Sequence, residues 1–153
     1  MDKEEKLFIE FVERLLTRWG YKELEGRIYG ILLVSRKPLT ITDLVNLTGM
    51  SRTSVSTALN RLARDYLVTY TKNGKTKLFT PVPAFTELFM KQPRILLERE
   101  VRPAGKLLEK LLAKADAPEH RQKLLKTKAS LDRLATLLEE IITFEAKLEK
   151  QST

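Results

Sequence analysis

The sequence predicts a mostly α-helical fold with a small β-wing: a winged helix-turn-helix with N- and C-terminal dimerisation helices. Three observations carry this. A short helix, a tight turn at Gly49-Met50 and a second helix follow one another over residues 40–65. A hairpin pattern centred on Asn73-Gly74 comes directly after them. Amphipathic helices flank this core, over residues 3–19 and 118–149.

Composition narrows the function classes. The 153 residues carry 28 Lys+Arg against 20 Asp+Glu, a formal net charge of +8. This length suits one domain, or one domain with an extended oligomerisation arm. The charge is concentrated. From Arg36 to Thr80 stand eight basic residues (36, 37, 52, 61, 64, 72, 75, 77) and two acids (43, 65), a net +6. A polyanionic partner is expected there. The chain has no cysteine, which excludes disulfides, thiolate zinc sites and thiol redox sensing. No apolar run approaches the ~18 residues that would cross a bilayer. The N-terminal Met1-Asp2-Lys3-Glu4-Glu5 is charged rather than signal-like. A cytoplasmic protein with no membrane partner is expected. No carboxylate pair, no nucleophile with an adjacent base and no Gly-rich phosphate loop is present, so no enzyme, catalytic residue, cofactor or metal is expected.

The first helix, residues 3–19, sets Leu7, Phe8, Phe11, Val12, Leu15, Leu16 and Trp19 on one wide stripe, and Gly20 ends it. That stripe needs a partner, either this chain's core or a second subunit. Residues 22–35 form the next helix, with Ile28, Ile31, Leu32 and Val34 inward. Its Gly26 and Gly30 lie on one face, where either another backbone approaches closely or two glycines are merely tolerated. Ser35-Arg36-Lys37-Pro38 is a turn, because the residue before proline leaves helical space.

Thr40 to Thr48 reads as a short helix. Thr40 can cap it, and the Asp43 carboxylate can bond back to the cap's N–H. Gly49 suits the left-handed conformation after its end. Ser51 then caps a second helix to about Asp65. Val55, Leu59 and Leu62, with Ala58 and Ala63 beside them, make its apolar stripe. The opposite face carries Arg52, Thr53, Ser56, Thr57, Asn60, Arg61 and Arg64, with no acid. A solvated face ordinarily mixes both signs of charge. This basic, hydroxyl-rich one suits phosphates and base edges.

Residues 68–80 read as a hairpin turning at Asn73-Gly74, both with φ > 0, with Lys72, Lys75 and Lys77 around the tip. Helix, turn, helix and basic hairpin give a recognition helix at 51–65 for the major groove. The wing then meets an adjacent groove or the backbone. The DNA-contact candidates are Arg52, Thr53, Ser56, Thr57, Asn60, Arg61, Lys72, Lys75 and Lys77.

Thr80-Pro81-Val82-Pro83 is an extended break. Residues 84–91 look helical, Pro93 fits the first turn of a new helix to about Lys114, and Pro103 should kink or restart that helix. Asp116 reads as a cap for the last helix, with Pro118 in its first turn and Glu119 at the third position. Along residues 118–149, Leu124, Leu131 and Leu138 form one heptad row; Leu134, Ile141 and Leu148 form another, with Thr127 as its polar exception. Leu137 and Phe144 widen the stripe. The alternatives are an antiparallel hairpin with residues 93–114 and a dimer interface, which the widened face favours. The expected division is therefore 1–20 (dimerisation helix), 21–83 (winged helix-turn-helix) and 84–153 (C-terminal dimerisation region). His120, the sole histidine, reads as a solvated first-turn residue.

Three runs taken together carry a resemblance: Gly26-Arg27-Ile28-Tyr29-Gly30, Lys37-Pro38-Leu39-Thr40, and Ser51-Arg52-Thr53-Ser54-Val55-Ser56 continuing to Leu59. The chain resembles the MarR superfamily of transcriptional regulators, and looks most like its GbsR branch, which includes archaeal members of this length. The likeness covers residues 5–83 well. It implies a symmetric homodimer on a pseudo-palindromic double-stranded operator. Lys75 stands where the wing of the family carries an arginine after its glycine. Some GbsR-branch proteins bind quaternary ammonium ligands in an aromatic pocket. Trp19, Tyr21, Tyr29 and Phe85 are the rings that such a cage for a small-molecule effector would use here. The alternatives are a sequence-tolerant chromatin-type protein and a winged-helix interaction module of the transcription machinery.

Overall fold

The Asp2 carboxylate accepts the Glu5 N–H at 2.8 Å and so starts α1 (Lys3–Arg18) in the computed structural model, which describes residues 1–152. Glu4 and Glu5 sit in its first turn, where the helix dipole favours acids. The wide apolar stripe splits. Ile9, Val12 and Leu16 are buried, whereas Leu7, Phe8 and Phe11 stay exposed. The cause is where α2 (Glu23–Val34) lands. A Cβ added at Gly26 would lie 2.9 Å from the Glu13 Cα, and one at Gly30 would lie 3.2 Å from the Ile9 Cα. The two glycines thus form a seam on which α1 and α2 touch backbone to backbone. Ile28, Ile31 and Leu32 are buried, and Val34 is half-buried.

α3 (Ile41–Thr48) opens on the expected reciprocal cap. The Asp43 N–H donates to Thr40 Oγ1 at 3.1 Å, and the Thr40 N–H donates to Asp43 Oδ2 at 2.9 Å. Gly49 takes φ +71 and ends it. Ser51 Oγ accepts the Ser54 N–H at 3.1 Å and starts α4 (Arg52–Arg64), which buries Val55, Ala58, Leu59 and Leu62.

β1 (Val68–Asn73) and β2 (Thr76–Pro81) pair antiparallel, with Asn73 opposite Thr76. The two loop residues are therefore Gly74-Lys75, and of the expected Asn73-Gly74 pair only Gly74 has positive φ, at +68. This is a glycine-first hairpin turn rather than the Asn-Gly type expected, and it puts Lys75 at the tip. Leu39 bridges Phe79 with bonds of 3.1 and 2.8 Å, tying the segment before α3 to the wing. The Tyr29 hydroxyl, wholly buried, donates to the Val82 carbonyl at 2.7 Å and accepts the Ala84 N–H at 3.1 Å, fixing the wing's exit. The first compact unit ends at Phe85.

The second unit begins at Thr86. α5 (Phe85–Leu96) runs through Pro93, so the expected restart there does not occur; the ring is buried within the helix. A π-helical turn follows at Leu97–Val101, in which the Arg102 N–H reaches back to the Leu97 carbonyl, and then comes α6 (Arg102–Lys114). Pro103 lies in the first turn of α6. A proline has no N–H and crowds the carbonyl four residues back. The wider π turn just before Pro103 absorbs both defects, so the helix restarts there.

α7 (Pro118–Ser152) starts with the Arg121 N–H on the Ala117 carbonyl at 2.9 Å. Ala117, and not Asp116, thus occupies the cap position. α7 returns antiparallel along the preceding helices. Arg94 meets Glu145 at 3.3 Å, Arg102 lies 3.6 Å from Glu139, and Arg121 donates to the Leu112 carbonyl at 2.6 Å. Leu97, Val101 and Leu138 make the core of this hairpin, with Leu131, Ala135 and Ile142 against it. Of the row Leu124, Leu131 and Leu138, Leu138 is thus buried and the other two are half-buried. Leu134, Leu137, Phe144 and Leu148 remain exposed.

Candidate nucleic-acid interface

The stripe that buries α4 decides which side chains it presents. With Val55, Leu59 and Leu62 wholly buried, the helical period turns Thr53, Thr57, Asn60 and Arg64 fully outward. Arg52 is also exposed, and Ser56 is half-buried at the edge. Arg52 is held rather than loose: its Nη1 donates to Thr42 Oγ1 on α3 at 3.0 Å. Thr42 was not among the candidates. Its signal, a hydroxyl on the helix before the recognition helix, becomes visible only once the two helices are packed.

Arg61, expected to contact DNA, points elsewhere. Nη1 donates to Glu25 Oε1 at 3.0 Å, Nη2 donates to the Gly20 carbonyl at 3.2 Å, and the guanidinium carbon sits 4.6 Å from the Tyr21 ring centroid. Glu25 is 3 % exposed, and its carboxylate also accepts the Lys22 N–H at 2.7 Å. A buried carboxylate needs such a partner. The Arg61 side chain, 32 % exposed, is therefore tied to the segment that joins α1 to α2.

The wing is basic without internal relief. Lys72 lies directly opposite Lys77 in the strand register, and Lys75 is at the exposed tip. Like charges directly opposite destabilise a strand pair, and an anion placed over them would reverse the sign. The Lys77 ammonium rests 4.5 Å from the Tyr70 ring centroid, which fixes its direction. The two acids of this region are both occupied. Asp43 closes the α3 cap, where chiefly the Thr40 N–H holds its carboxyl below the usual range. Asp65 accepts the Tyr21 hydroxyl at 2.6 Å, and burial first, then that bond, pushes the Tyr21 phenol well up. The charges left facing outward on α4 and the wing are positive.

The four aromatic candidates hold structural positions. Tyr29 is buried, and its ring tilts against Phe85 at 6.1 Å between centroids. Tyr21 already carries the Arg61 cation. Trp19 is the C-cap residue of α1. Tyr29 and Tyr21 thus both make ring contacts within the chain. His120 is exposed in the first turn of α7. Among the described residues no group of His, Cys, Asp or Glu could hold a metal, and no helix is long and apolar enough to cross a membrane.

An outward polar row on α4, a basic wing beside it and a three-residue turn before it define a winged helix-turn-helix. Residues 16–84 match the family model described as "Sugar-specific transcriptional regulator TrmB". That span runs from the end of α1 through the wing. A putative HTH-type transcriptional regulator of Bacillus subtilis, YvaV, is 34 % identical over 62 residues, 40 % of this chain and 35 % of that protein. The matched stretch thus covers about a third of that relative. The crystal structure of a transcriptional regulator matches with a TM-score of 0.53 at 16 % identity, over 94 % of this chain and 99 % of the other. The structure of TrmBL2, described as an archaeal chromatin protein with a novel mode of DNA binding, also gives 0.53, at 20 % identity, over 76 % of this chain and 45 % of the other.

Proposed function

We propose that the chain is a homodimeric, sequence-specific DNA-binding transcriptional regulator. α4 enters the major groove with Arg52, Thr53, Thr57 and Asn60 toward the bases and Ser56 toward phosphate. Lys72, Lys75 and Lys77 of the wing meet the backbone. The single observation that carries this is the arrangement on α4 and the wing: an outward polar row with no acid, and nearby carboxylates already engaged. Arg and Asn suit bidentate base contacts, and Ser, Thr and Lys suit phosphates. Within the regulators it resembles, the GbsR branch of the MarR superfamily remains our assignment.

A second copy of the chain is the partner for the uncovered helix faces. The exposed row Leu134, Leu137, Phe144 and Leu148 on α7, and Leu7, Phe8 and Phe11 on α1, are too large and too contiguous in pattern for scattered surface residues. Light scattering at micromolar concentration should give twice 17.7 kDa. A monomer mass would remove the paired half-sites from the proposal. Selection from a random DNA pool should return a two-fold symmetric site. The chromatin-type reading takes over if the pool returns no preferred sequence while DNA still binds tightly. The interaction-module reading takes over if DNA does not bind at all.

A further inference from the structure

We propose that Arg61 is a positioning residue that fixes the recognition helix against the α1–α2 turn, and that it makes no contact with DNA. This rests on the sequence-specific reading above. Arg61 and Asp65 lie four apart on α4, so they share one flank of the helix. Both are tied to the same turn. Arg61 reaches the Gly20 carbonyl and Glu25, its guanidinium lies against the Tyr21 ring, and Asp65 takes the Tyr21 hydroxyl. The contacts span 41, 36 and 44 residues of sequence, so they are tertiary joints and not local helix decoration.

The flank matters. The outward row is Thr53, Thr57, Asn60 and Arg64; Arg61 borders it, about 40° around the axis from Thr57 and about 100° from Asn60, and its bonds to Glu25 and the Gly20 carbonyl turn the guanidinium away from that row. Glu25, 3 % exposed, cancels the charge of Arg61 at 3.0 Å. A guanidinium so neutralised and so directed offers little to a phosphate. A planar fork can bond a carboxylate and a carbonyl at once while stacking on a ring, which the point charge of a lysine does less well. The joint sits at the C-terminal end of α4, away from Arg52 at its start. It therefore acts as a lever on the end that reads bases, and a small rotation there displaces Arg52 and Thr53 most.

The test measures affinity for the selected site and for random DNA across a salt series, with folding checked by thermal unfolding. Arg61→Ala should lose about tenfold on the selected site, the scale of one lost base contact, and little on random DNA. Its log–log salt slope should match that of the wild type, because no phosphate contact is removed. Glu25→Gln should lose discrimination in the same direction, although it makes the protein more positive; a phosphate-contacting Arg61 would instead bind as well or better. The pair combined should cost no more than Arg61→Ala alone. Tyr21→Phe, which removes the Asp65 bond and keeps the ring, serves if the stronger variants unfold, and should show a smaller loss of discrimination. Arg61→Ala with discrimination intact and a slope reduced by about 0.9 overturns the positioning role alone. A wild type with no preferred site overturns both this role and the regulator reading.

Discussion

Alanine at each of three helical glycines separates packing from helix propensity. An alanine gains about 0.8–1.0 kcal/mol over glycine in a helix interior. At Gly105 nothing lies within 4 Å of the added Cβ, so that gain should appear in full. At Gly26 the new atom would lie 2.9 Å from the Glu13 Cα and 3.1 Å from its carbonyl oxygen. Both are backbone atoms, so α1 itself has to move by about half an ångström before ordinary contact is restored. Overpacking of this kind costs about 1–3 kcal/mol, which exceeds the propensity gain by up to about 2 kcal/mol. At Gly30 the nearest atom, the Ile9 Cα, is at 3.2 Å, so strain and propensity should nearly cancel. The expected order of stability is Gly105→Ala above wild type, Gly30→Ala close to it and Gly26→Ala below. Urea unfolding read by circular dichroism measures all four proteins. A Gly26→Ala variant as stable as wild type would refute the seam, because it would mean that α1 slides off α2 at no cost.

Other outcomes follow from the same geometry. Tyr66 is 82 % exposed and held at φ +62, the left-handed position after α4 that glycine normally fills, so Tyr66→Gly should stabilise the fold by about 1 kcal/mol in thermal unfolding. No change would mean that the conformation carries no strain. Lys75→Ala should weaken binding to all DNA alike and lower the log–log salt slope by about 0.9, and an unchanged slope would remove the wing tip from the interface. Asp43 has a carboxyl pKa lowered in the folded state, so its contribution is present above the unfolded value of about 3.9 and is lost as pH falls through the folded one. The stability gap between wild type and Asp43→Asn should therefore shrink below about pH 4. A gap that persists at lower pH would assign the effect to something other than the charge.

The helix-turn-helix was legible because its signals are local. Thr40 with Asp43, Gly49 and Ser51 each satisfy or release backbone groups within four residues, and all four act as read. The wing was legible as a hairpin but not in its register. One residue of shift moved the turn from Asn73-Gly74 to Gly74-Lys75, which the long-range bridge from Leu39 to Phe79 helps to set. Of the C-terminal prolines, Pro103 restarts its helix as read, after a π turn whose Leu97 and Val101 pack with Leu138, whereas Pro93 lies inside α5 rather than at a helix start. Arg61 was unreadable because its partners lie at Gly20, Tyr21 and Glu25, on an element that composition cannot place beside α4. The division of the α7 stripe into a covered and an open row likewise depends on where the antiparallel partner lies.

The central claim is that α4 reads bases, and one comparison tests it most directly. A two-fold dimer would set its two recognition helices ~34 Å apart, one DNA turn, on one face of the duplex. Arg52, exposed at the start of α4 and steadied by Thr42, would then be in reach of base edges. Affinities of wild type, Arg52→Ala and Asn60→Ala are measured at one salt concentration, on the selected site and on unrelated DNA. The account predicts that Arg52→Ala loses about 1–3 kcal/mol on the selected site and far less on unrelated DNA, with Asn60→Ala following the same pattern. Equal losses on both DNAs would contradict it, leaving only phosphate contact and a protein that binds DNA without reading it.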